Sequence, residues 1–357
     1  MKARLVLPAL GVAAGAMAYR RYLQRLTPQL GGEALTVTTD DGWNLSVRRY
    51  PAAPSPRRGG TRRGVVVAGH GFAGTSLIWD LMPEVSLARH LADAGFDFYA
   101  VDLRGRGGSW PAGGPDNSLQ WSFDDFVNDD LPATVAGACE RSGVDHVSWM
   151  GLEMSGQAAY AAAISATTPQ VSAVVTLGSP ALTPPEAKVP GVTSAPRARR
   201  HGRVQFRAGA HHAGPVLALL RSKQLESSFR PPNVDPMVPA RYLRHGIPDE
   251  SVLLADQFLD WVQNDTMRSL DHGTVWSDQL DRFTLPVLAL AASRDLQRPA
   301  EAVRATVERL GSDDKQYIEV GTAGGFEVDY GHDDLVAART SPAEVFPLIT
   351  DWLSDHT

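Results

Sequence analysis

The stretch GLEMSG, residues 151–156, follows the apolar run DHVSWM and precedes QAAYAAAIS. Gly151 and Ser155 stand two residues before and two residues after Glu153. Small residues at these positions predict a sharp turn between a buried strand and a helix, because larger side chains would clash where the chain doubles back. We therefore expect Glu153 to lie at the tip of this turn, above the end of the strand.

Composition limits the classes of protein to which the chain can belong. Its 357 residues, 43% hydrophobic and 21% charged, are typical of a globular protein with an ample core. A net charge of −6 gives no reason to expect a nucleic-acid partner. The single cysteine, Cys139, excludes an intrachain disulfide and a cysteine-based zinc cluster. The adjacent His211 and His212 are a weak metal signal, and we expect neither a metal nor a cofactor.

Strands and helices alternate along most of the chain. LTVTTDDGWNLSVRRY predicts a hairpin that turns at Asp41-Gly42, and short apolar runs such as GVVVAGH, FDFYAVDL, DHVSWM and LPVLALAAS are typical of strands buried on both faces. Helical patterns separate these runs, including SLIWDLMPEVSLARHLADAG, which is expected to end at Gly95, and one that begins at Ser122. The alternation predicts an α/β fold with a mostly parallel sheet and helices on both faces.

The alternation stops between residues 181 and 282, where Pro-rich turns separate segments such as PVLALLRSKQLESS and ESVLLADQFLDWVQND. We interpret this region as a helical cap inserted into a core that comprises residues 35–180 and 283–357. Its basic portion, from Arg197 to Lys223, has seven Arg or Lys residues and no acidic residue. This portion is typical of a solvated loop, and the alternative is attraction to anionic lipid headgroups.

The N-terminal segment, residues 1–26, contains the uncharged run LVLPALGVAAGAMAY. At 15 residues this run is shorter than the roughly 20 that span a bilayer comfortably. We expect an uncleaved membrane tether. A signal peptide cleaved after Ala18 and a buried amphipathic start are the alternatives, and the protein would then be exported or cytoplasmic, respectively.

Three residues follow predicted strands at the edge where parallel sheets carry their chemistry. Glu153 follows DHVSWM, Asp295 follows LPVLALA, and His332 lies in GGFEVDYGHDDLV before the last helix. Asp295 could instead cap the helix that begins near Pro299. Their order along the chain matches that of a nucleophile, an acid and a base.

The chain resembles the α/β hydrolases, in particular lipase-like and polyhydroxyalkanoate-synthase-like members, from about Leu35 to Trp352. GHGFAG (69–74), FDFYAVDLRGRGGS, WSFDDFVNDDLPA, VVTLGSPA, LPVLALAASRD and YGHDDLV carry the resemblance, in order and at similar spacing. It implies an oxyanion hole formed by the backbone N–H groups of Phe72 and Met154 and a catalytic site of Glu153, Asp295 and His332. Glu153 stands where the family pattern G-x-S-x-G has serine.

This departure leaves three functions open. In the first, Glu153 and His332 activate a water that hydrolyses an apolar ester-like or lipid substrate. In the second, the site binds a ligand without turnover, which an ion pair between Glu153 and His332 would favour by raising the histidine pKa. In the third, Glu153 attacks a saturated carbon, as in dehalogenases and epoxide hydrolases. Two features of the sequence oppose the third function. The chain has no His-Gly-x-Pro loop of the kind that these enzymes carry, and the cap has only one tyrosine, Tyr242.

Overall fold

The computed structural model describes residues 15–54, 62–116, 118–182, 199–200 and 202–357. Its centre is a large β-sheet in the order β1-β2-β4-β3-β6-β7-β11-β12, with β5 paired to β2. All neighbours from β4 to β12 run parallel, whereas β1, β2 and β5 pair antiparallel. These strands are β1 Glu33–Thr38, β2 Trp43–Tyr50, β3 Gly64–Gly69, β4 Phe96–Val101, β5 Trp110–Pro111, β6 Val147–Leu152, β7 Val171–Leu177, β11 Val287–Ala292 and β12 Lys315–Val320.

Helices cover both faces of this sheet, as the alternation predicts. Successive side chains of a strand point to opposite faces. Accordingly, Val66 packs with α2 and α11, whereas Val65 and Val67 pack with α4 and α5. The helices are α1 over residues 15–25, α2 Leu87–Ala94, α3 Phe123–Asp125, α4 Leu131–Ser142, α5 Met154–Ser165, α6 Arg207–Leu219, α7 Met237–His245, α8 Val252–Asn264, α9 Ala300–Arg309, α10 Asp334–Ala337 and α11 Ser341–His356. The predicted fold class is confirmed.

Several local predictions agree with the structure. Strands β1 and β2 form the expected hairpin, with Thr38 opposite Asn44 across the turn. Ser122 and Asp125 form a capping box at the start of the helical stretch that continues, through a π-helical turn at Phe126–Asp130, into α4. In this box each side chain satisfies a backbone N–H that the first helical turn leaves free.

Two helix predictions need correction. The segment SLIWDLMPEVSLARHLADAG was expected to be helical throughout. It forms two short 3₁₀ turns, Ser76–Trp79 and Pro83–Val85, before α2 begins at Leu87. Proline at position 83 lacks the N–H that a continuous helix needs there. The helix expected in PVLALLRSKQLESS is also displaced, because α6 begins eight residues earlier, at Arg207, and ends at Leu219.

The region between β7 and β11 lies over the carboxyl ends of the strands. Strands β7 and β11 are neighbours in the sheet, and α6, α7 and α8 belong to the chain between them. A small three-stranded sheet of β8 Arg199–Arg200, β9 Arg203–Val204 and β10 Glu250–Ser251 also lies in this region. Part of the predicted cap, residues 183–198 and 201, is outside the described residues.

Most of the predicted N-terminal tether, residues 1–14, is also outside the described residues. Within the part of the chain that the structure describes, no helix has both the length and the apolar character required to cross a bilayer. Helix α1 contacts the cap, because the hydroxyl of Tyr22 donates to the carbonyl of Pro215 in α6 at 2.9 Å. Arg241 of α7 donates to the carbonyls of Arg25 and Leu26.

Candidate active site

Glu153 lies at the tip of the turn between β6 and α5. Its backbone has φ 50° and ψ −108°, a conformation that an L-residue with a side chain rarely adopts. A Cβ on Gly151 would lie 2.2 Å from the backbone nitrogen of Gly156, so only glycine allows this close approach. The turn therefore projects Glu153 beyond the carboxyl end of β6, as the sequence predicts.

Ser155, the other residue of the turn that could act as a nucleophile, does not point into a cavity. Its side chain is fully buried, and its hydroxyl donates to the carbonyl of Leu152 at 3.2 Å. It packs against the end of β3, where a Cβ on Gly69 would lie 2.7 Å from the Cβ of Ser155. Ser155 is therefore a packing residue of the turn.

Asp295 and His332 meet across the ends of β11 and the loop before α10. Nδ1 of His332 lies 2.6 Å from Oδ2 of Asp295, and both side chains are buried. The other carboxylate oxygen of Asp295 accepts from the backbone N–H groups of Gln297 and Arg298. Helix α9 begins at Ala300 without a side-chain cap. Asp295 therefore orders the loop before α9 and orients the histidine, rather than capping the helix.

The carboxylate of Glu153 has two partners. Oε2 accepts from the backbone N–H of Phe72 at 2.5 Å, and Oε1 accepts from Nη2 of Arg298 in a buried ion pair. Glu153 is 4% exposed and Arg298 is 5% exposed. The structure describes no ion pair between Glu153 and His332. An ion pair between them was expected if the two residues adjoined, and Arg298 pairs with Glu153 instead.

Arg298 is the functional candidate that sequence reasoning missed. It lies three residues after Asp295, in the segment SRDLQRPA. Its Nε is buried and has no hydrogen-bond partner among the described residues. The only available signal was a basic residue close to a predicted catalytic aspartate, and a lone arginine in a loop is usually solvated.

The ion pair keeps Glu153 ionised. Burial alone would raise the pKa of Glu153, but the charges of Arg298 and His332 and the hydrogen bond from Phe72 outweigh it. The pKa of Glu153 consequently lies below its ordinary value. A carboxylate that is already neutralised by a guanidinium is a weaker nucleophile and a weaker base than a free one.

His332 has the opposite shift. Burial alone would lower the pKa of His332, but the charge and hydrogen bond of Asp295, followed by the charges of Asp333 and Glu153, raise it to about 9. Asp333 is itself buried, and burial raises its pKa to about 7. At neutral pH His332 is therefore protonated and cannot accept a proton as a general base.

The loop that follows β3 presents the N–H of Phe72 and is fixed by a neutral histidine. His70 is fully buried, and burial followed by the charge of Arg106 lowers its pKa to about 3. Its Nε2 accepts from the N–H of Leu103 at 3.1 Å, so Nδ1 carries the proton and donates to the carbonyl of Gly71 at 2.9 Å. This arrangement holds the loop close to Glu153.

The predicted oxyanion hole is thus occupied from within the chain. Of its two predicted donors, Phe72 binds the Glu153 carboxylate. Met154 is the first residue of α5, where a backbone N–H has no carbonyl within the helix to bond. A carboxylate oxygen in this position resembles the bound acid product of an ester hydrolase, and it competes with any substrate carbonyl for the Phe72 N–H.

A cavity of about 250 Å³ opens above this site. Glu153 and Arg298 form part of its wall, and apolar side chains from the loop after β3 and from the cap form the rest. The principal apolar residues are Phe72, Phe206, Leu243, Ile247 and Phe258. In the described part of the chain, no cluster of three or more His, Cys, Asp or Glu residues could hold a metal ion.

Comparison with known proteins agrees with this fold. A model of the alpha/beta hydrolase fold family matches residues 64–326, which is more than half of the chain. The chain belongs to the α/β hydrolase family. Its resemblance to the lipase-like branch is also confirmed, and at the family level the resemblance is to lipid and ester hydrolases.

The sequence relatives of this α/β hydrolase match over part of their length. Gastric triacylglycerol lipase of Rattus norvegicus is 33% identical over 122 residues, which cover 32% of this chain and 30% of the lipase. Lipase lipl-3 of Caenorhabditis elegans is 32% identical over 141 residues, 36% of this chain and 35% of its own length. The matched region thus spans about a third of these curated relatives.

Solved structures of similar architecture cover nearly the whole chain. A monoacylglycerol lipase of Paleococcus ferrophilus has a TM-score of 0.57 at 20% identity, covering 88% of this chain and 99% of the lipase. A soluble variant of the monoglyceride lipase of Saccharomyces cerevisiae, in complex with a substrate analog, has a TM-score of 0.60 at 17% identity, covering 93% and 98%. At these identities the similarity establishes the fold.

Proposed function

We propose that this α/β hydrolase binds an apolar ester-like or lipid molecule in the cavity above Glu153 and does not hydrolyse it by the serine route. The observation that carries the proposal is the placement of the Glu153 carboxylate, which accepts from the Phe72 N–H and pairs with Arg298. The nucleophile position has no hydroxyl, and the position of the oxyanion is filled by a side chain. The fold and cavity remain suited to ligand binding.

The state of His332 supports the same proposal. Joint activation of a water by Glu153 and His332 requires a neutral histidine, whereas its pKa of about 9 keeps it protonated at neutral pH. Among the described side chains, Glu153 pairs with Arg298 and His332 pairs with Asp295. No ion pair or hydrogen bond between Glu153 and His332 is therefore present through which a proton could pass. In the water-activation mechanism expected from the sequence, His332 is therefore not available as a base at neutral pH.

Binding and turnover of methyl hexanoate, a small apolar ester, test the proposal. Isothermal titration calorimetry should detect binding, and gas chromatography should detect no hexanoate above the uncatalysed control. Ala210→Trp, which fills the cavity wall, should abolish binding. Ala208→Trp, on the exposed side of the same helix, is the matched control and should leave it unchanged.

Two results would contradict the proposal. One is the absence of binding to the parent protein. The other is release of hexanoate at a rate that falls in the Glu153→Gln variant, because that dependence would assign turnover to the carboxylate.

A second candidate is covalent chemistry at Glu153 on a saturated carbon, and one observation favours it. A carboxylate nucleophile places one oxygen against the oxyanion donors and attacks with the other, and Oε2 of Glu153 occupies such a position. Oε1, the attacking atom, is bound by Arg298, which opposes this chemistry. Intact mass spectrometry after incubation with 1-bromohexane tests it: a mass increase of one hexyl group, absent in Glu153→Gln, would support the candidate.

We also propose that α1 and α6 bring the protein to a lipid surface. Met17 and Tyr19 of α1 are 57% and 38% exposed, and Leu219 and Leu220 at the end of α6 are 57% and 71% exposed. Such side chains favour insertion at a membrane interface. Co-sedimentation with anionic liposomes should fall in a Leu219→Ser/Leu220→Ser variant but not in Leu296→Ser, which changes another exposed leucine. Equal binding of all three proteins would contradict this placement.

A further inference from the structure

A second cavity, of about 350 Å³, lies beside the first and has a different chemical character. It is bounded by α6, α7 and the loop that follows β4, and Ile247 lines both cavities. Three arginines line it, Arg203, Arg207 and Arg244, together with His211 and His245. Neither the fold nor the site at Glu153 accounts for this concentration of cationic side chains around one cavity.

The one carboxylate in the wall does not neutralise these arginines by direct pairing. Oδ1 of Asp249 accepts from the backbone N–H groups of Phe206 and Arg207, each at 2.9 Å, at the start of α6. Among the described residues no ion pair joins Asp249 to any of the three guanidinium groups. The buried Glu250 pairs with Arg106, and both Glu250 and Asp249 act on Arg203 only through longer-range attraction. Three arginines against these two carboxylates, one of them already paired, leave the cavity with an excess of positive charge.

Arg203 supplies the independent observation that points to a ligand. Its side chain is only 4% exposed, and its Nη1 is buried with no hydrogen-bond partner among the described residues. Nη2 donates to the carbonyl of Asp116 at 2.9 Å, and the guanidinium lies 4.1 Å from the ring centroid of Trp121. Buried donors without a partner are rare, because losing water without gaining a new bond costs free energy. A bound acceptor would satisfy this donor.

We propose that this cavity binds a phosphate group, with Arg203 as the buried donor and Arg207 and Arg244 as the cations nearer to solvent. Guanidinium groups suit this role because their N–H donors match the spacing of phosphate oxygens and remain charged. The proposal does not depend on chemistry at Glu153. The phosphate belongs either to a free phosphorylated molecule or to a lipid headgroup whose acyl chain enters the neighbouring cavity past Ile247.

Isothermal titration of the full chain with three probes tests the proposal and separates these sources. The probes are inorganic phosphate, 1-octanoyl-glycerol 3-phosphate and its neutral counterpart, 1-octanoyl-glycerol. Binding of inorganic phosphate supports a free phosphate group, and binding of the phospholipid probe alone supports a lipid headgroup. In either case 1-octanoyl-glycerol should bind at least about tenfold more weakly than the phosphorylated probe, the size of one charge-assisted hydrogen bond.

Variants of the arginines in the second cavity test where the phosphate probes bind. Arg207→Gln and Arg244→Gln, which remove partly accessible side chains, should each weaken phosphate-probe binding about tenfold. Lys223→Gln removes an exposed positive charge outside the cavity and should change it less than about twofold. Three results would each overturn the proposal. The first is no binding of inorganic phosphate or of 1-octanoyl-glycerol 3-phosphate up to about 10 mM. The others are binding of 1-octanoyl-glycerol as tight as that of its phosphorylated counterpart, and a loss of binding in Lys223→Gln as large as in the arginine variants.

Discussion

Arg298 and Glu153 form a buried ion pair at the position where a serine hydrolase carries its nucleophile. The pair joins the loop after β11 to the turn after β6, and the same carboxylate also binds the N–H of Phe72. One side chain thus links the predicted nucleophile position, the predicted oxyanion-hole donor Phe72 and the loop that orients His332.

Removing one partner of the pair should destabilise the protein markedly. Arg298→Met leaves Glu153 buried with one hydrogen bond, and we expect the free energy of unfolding to fall by about 3 kcal/mol. The double variant Arg298→Met/Glu153→Gln should recover part of this loss, because no charge remains unpaired. Urea unfolding at pH 7 measures both.

Arg294→Met is the matched control. Arg294 lies in the same loop as Arg298 and pairs with Asp329, but its side chain is 63% exposed. Exposed pairs contribute about 0–1 kcal/mol. A loss in Arg298→Met no larger than in this control would show that the buried pair contributes nothing special.

Stability should decrease from neutral to alkaline pH because of His332. Its folded-state pKa of about 9 exceeds the roughly 6.5 of an unfolded chain, so the folded state holds this proton more tightly. The stabilisation is complete below about pH 6.5 and disappears as the pH rises through 9. Urea unfolding at pH 6 and pH 9 should show the loss, and His332→Gln should remove most of it.

His146→Gln, which changes an exposed histidine, should retain the pH dependence of the parent protein. A parent protein whose stability is constant or rises between pH 6.5 and pH 9 would contradict the assigned charge of His332. Glu153 acts at the other end of the scale: its lowered pKa means that its contribution is lost as the solution is acidified below the ordinary carboxyl range.

The turn at Glu153 should not tolerate a side chain at Gly151. Its Cβ would meet the backbone of Gly156, which no rotamer change can relieve. We expect Gly151→Ala to lower the melting temperature by several degrees or to prevent folding. Gly156→Ala should also destabilise, but in that case the added Cβ meets mainly the side chain of Ser179, at 2.2 Å, and the backbone oxygen of Gly151 only at 3.2 Å, so adding Ser179→Gly should rescue part of the loss.

Gly209→Ala provides the control for these glycines. Gly209 lies in α6 with open space around it, and alanine there should be neutral or stabilising by up to about 1 kcal/mol. Thermal unfolding of the four variants would contradict the account if Gly151→Ala were as stable as Gly209→Ala.

The sequence predicted the fold well because its signals are local. Buried strands and helices alternate with their own periodicities, and glycine at 95 and 143 ends helices in the left-handed conformation. Where local rules compete, prediction was less accurate. In residues 76–95 the apolar spacing favours one helix, but Pro83 and the packing of the loop produce two short turns before α2.

The placement of the candidate site residues was predicted in part for the same reason. Glu153, Asp295 and His332 each follow a strand in a parallel sheet, so topology alone places them at one edge. The partner of Glu153 was not predictable, because it depends on how the chain between Asp295 and α9 folds. Two backbone N–H groups bound by Asp295 turn that chain and bring Arg298 to the carboxylate, a tertiary effect that sequence spacing does not report.

We infer that the Glu153 carboxylate replaces the nucleophile and occupies the predicted oxyanion hole through its bond to the Phe72 N–H. Labelling by an alkyl fluorophosphonate, followed by intact mass spectrometry, tests it most directly, because the reagent reacts with a serine activated beside an open oxyanion hole. We expect no labelling of the parent protein, labelling of Glu153→Ser at the introduced hydroxyl once the pH is raised to about 9, where His332 begins to lose its proton, and loss of that labelling in Glu153→Ser/His332→Gln. Labelling of the parent protein, unchanged by Glu153→Ser, would contradict it.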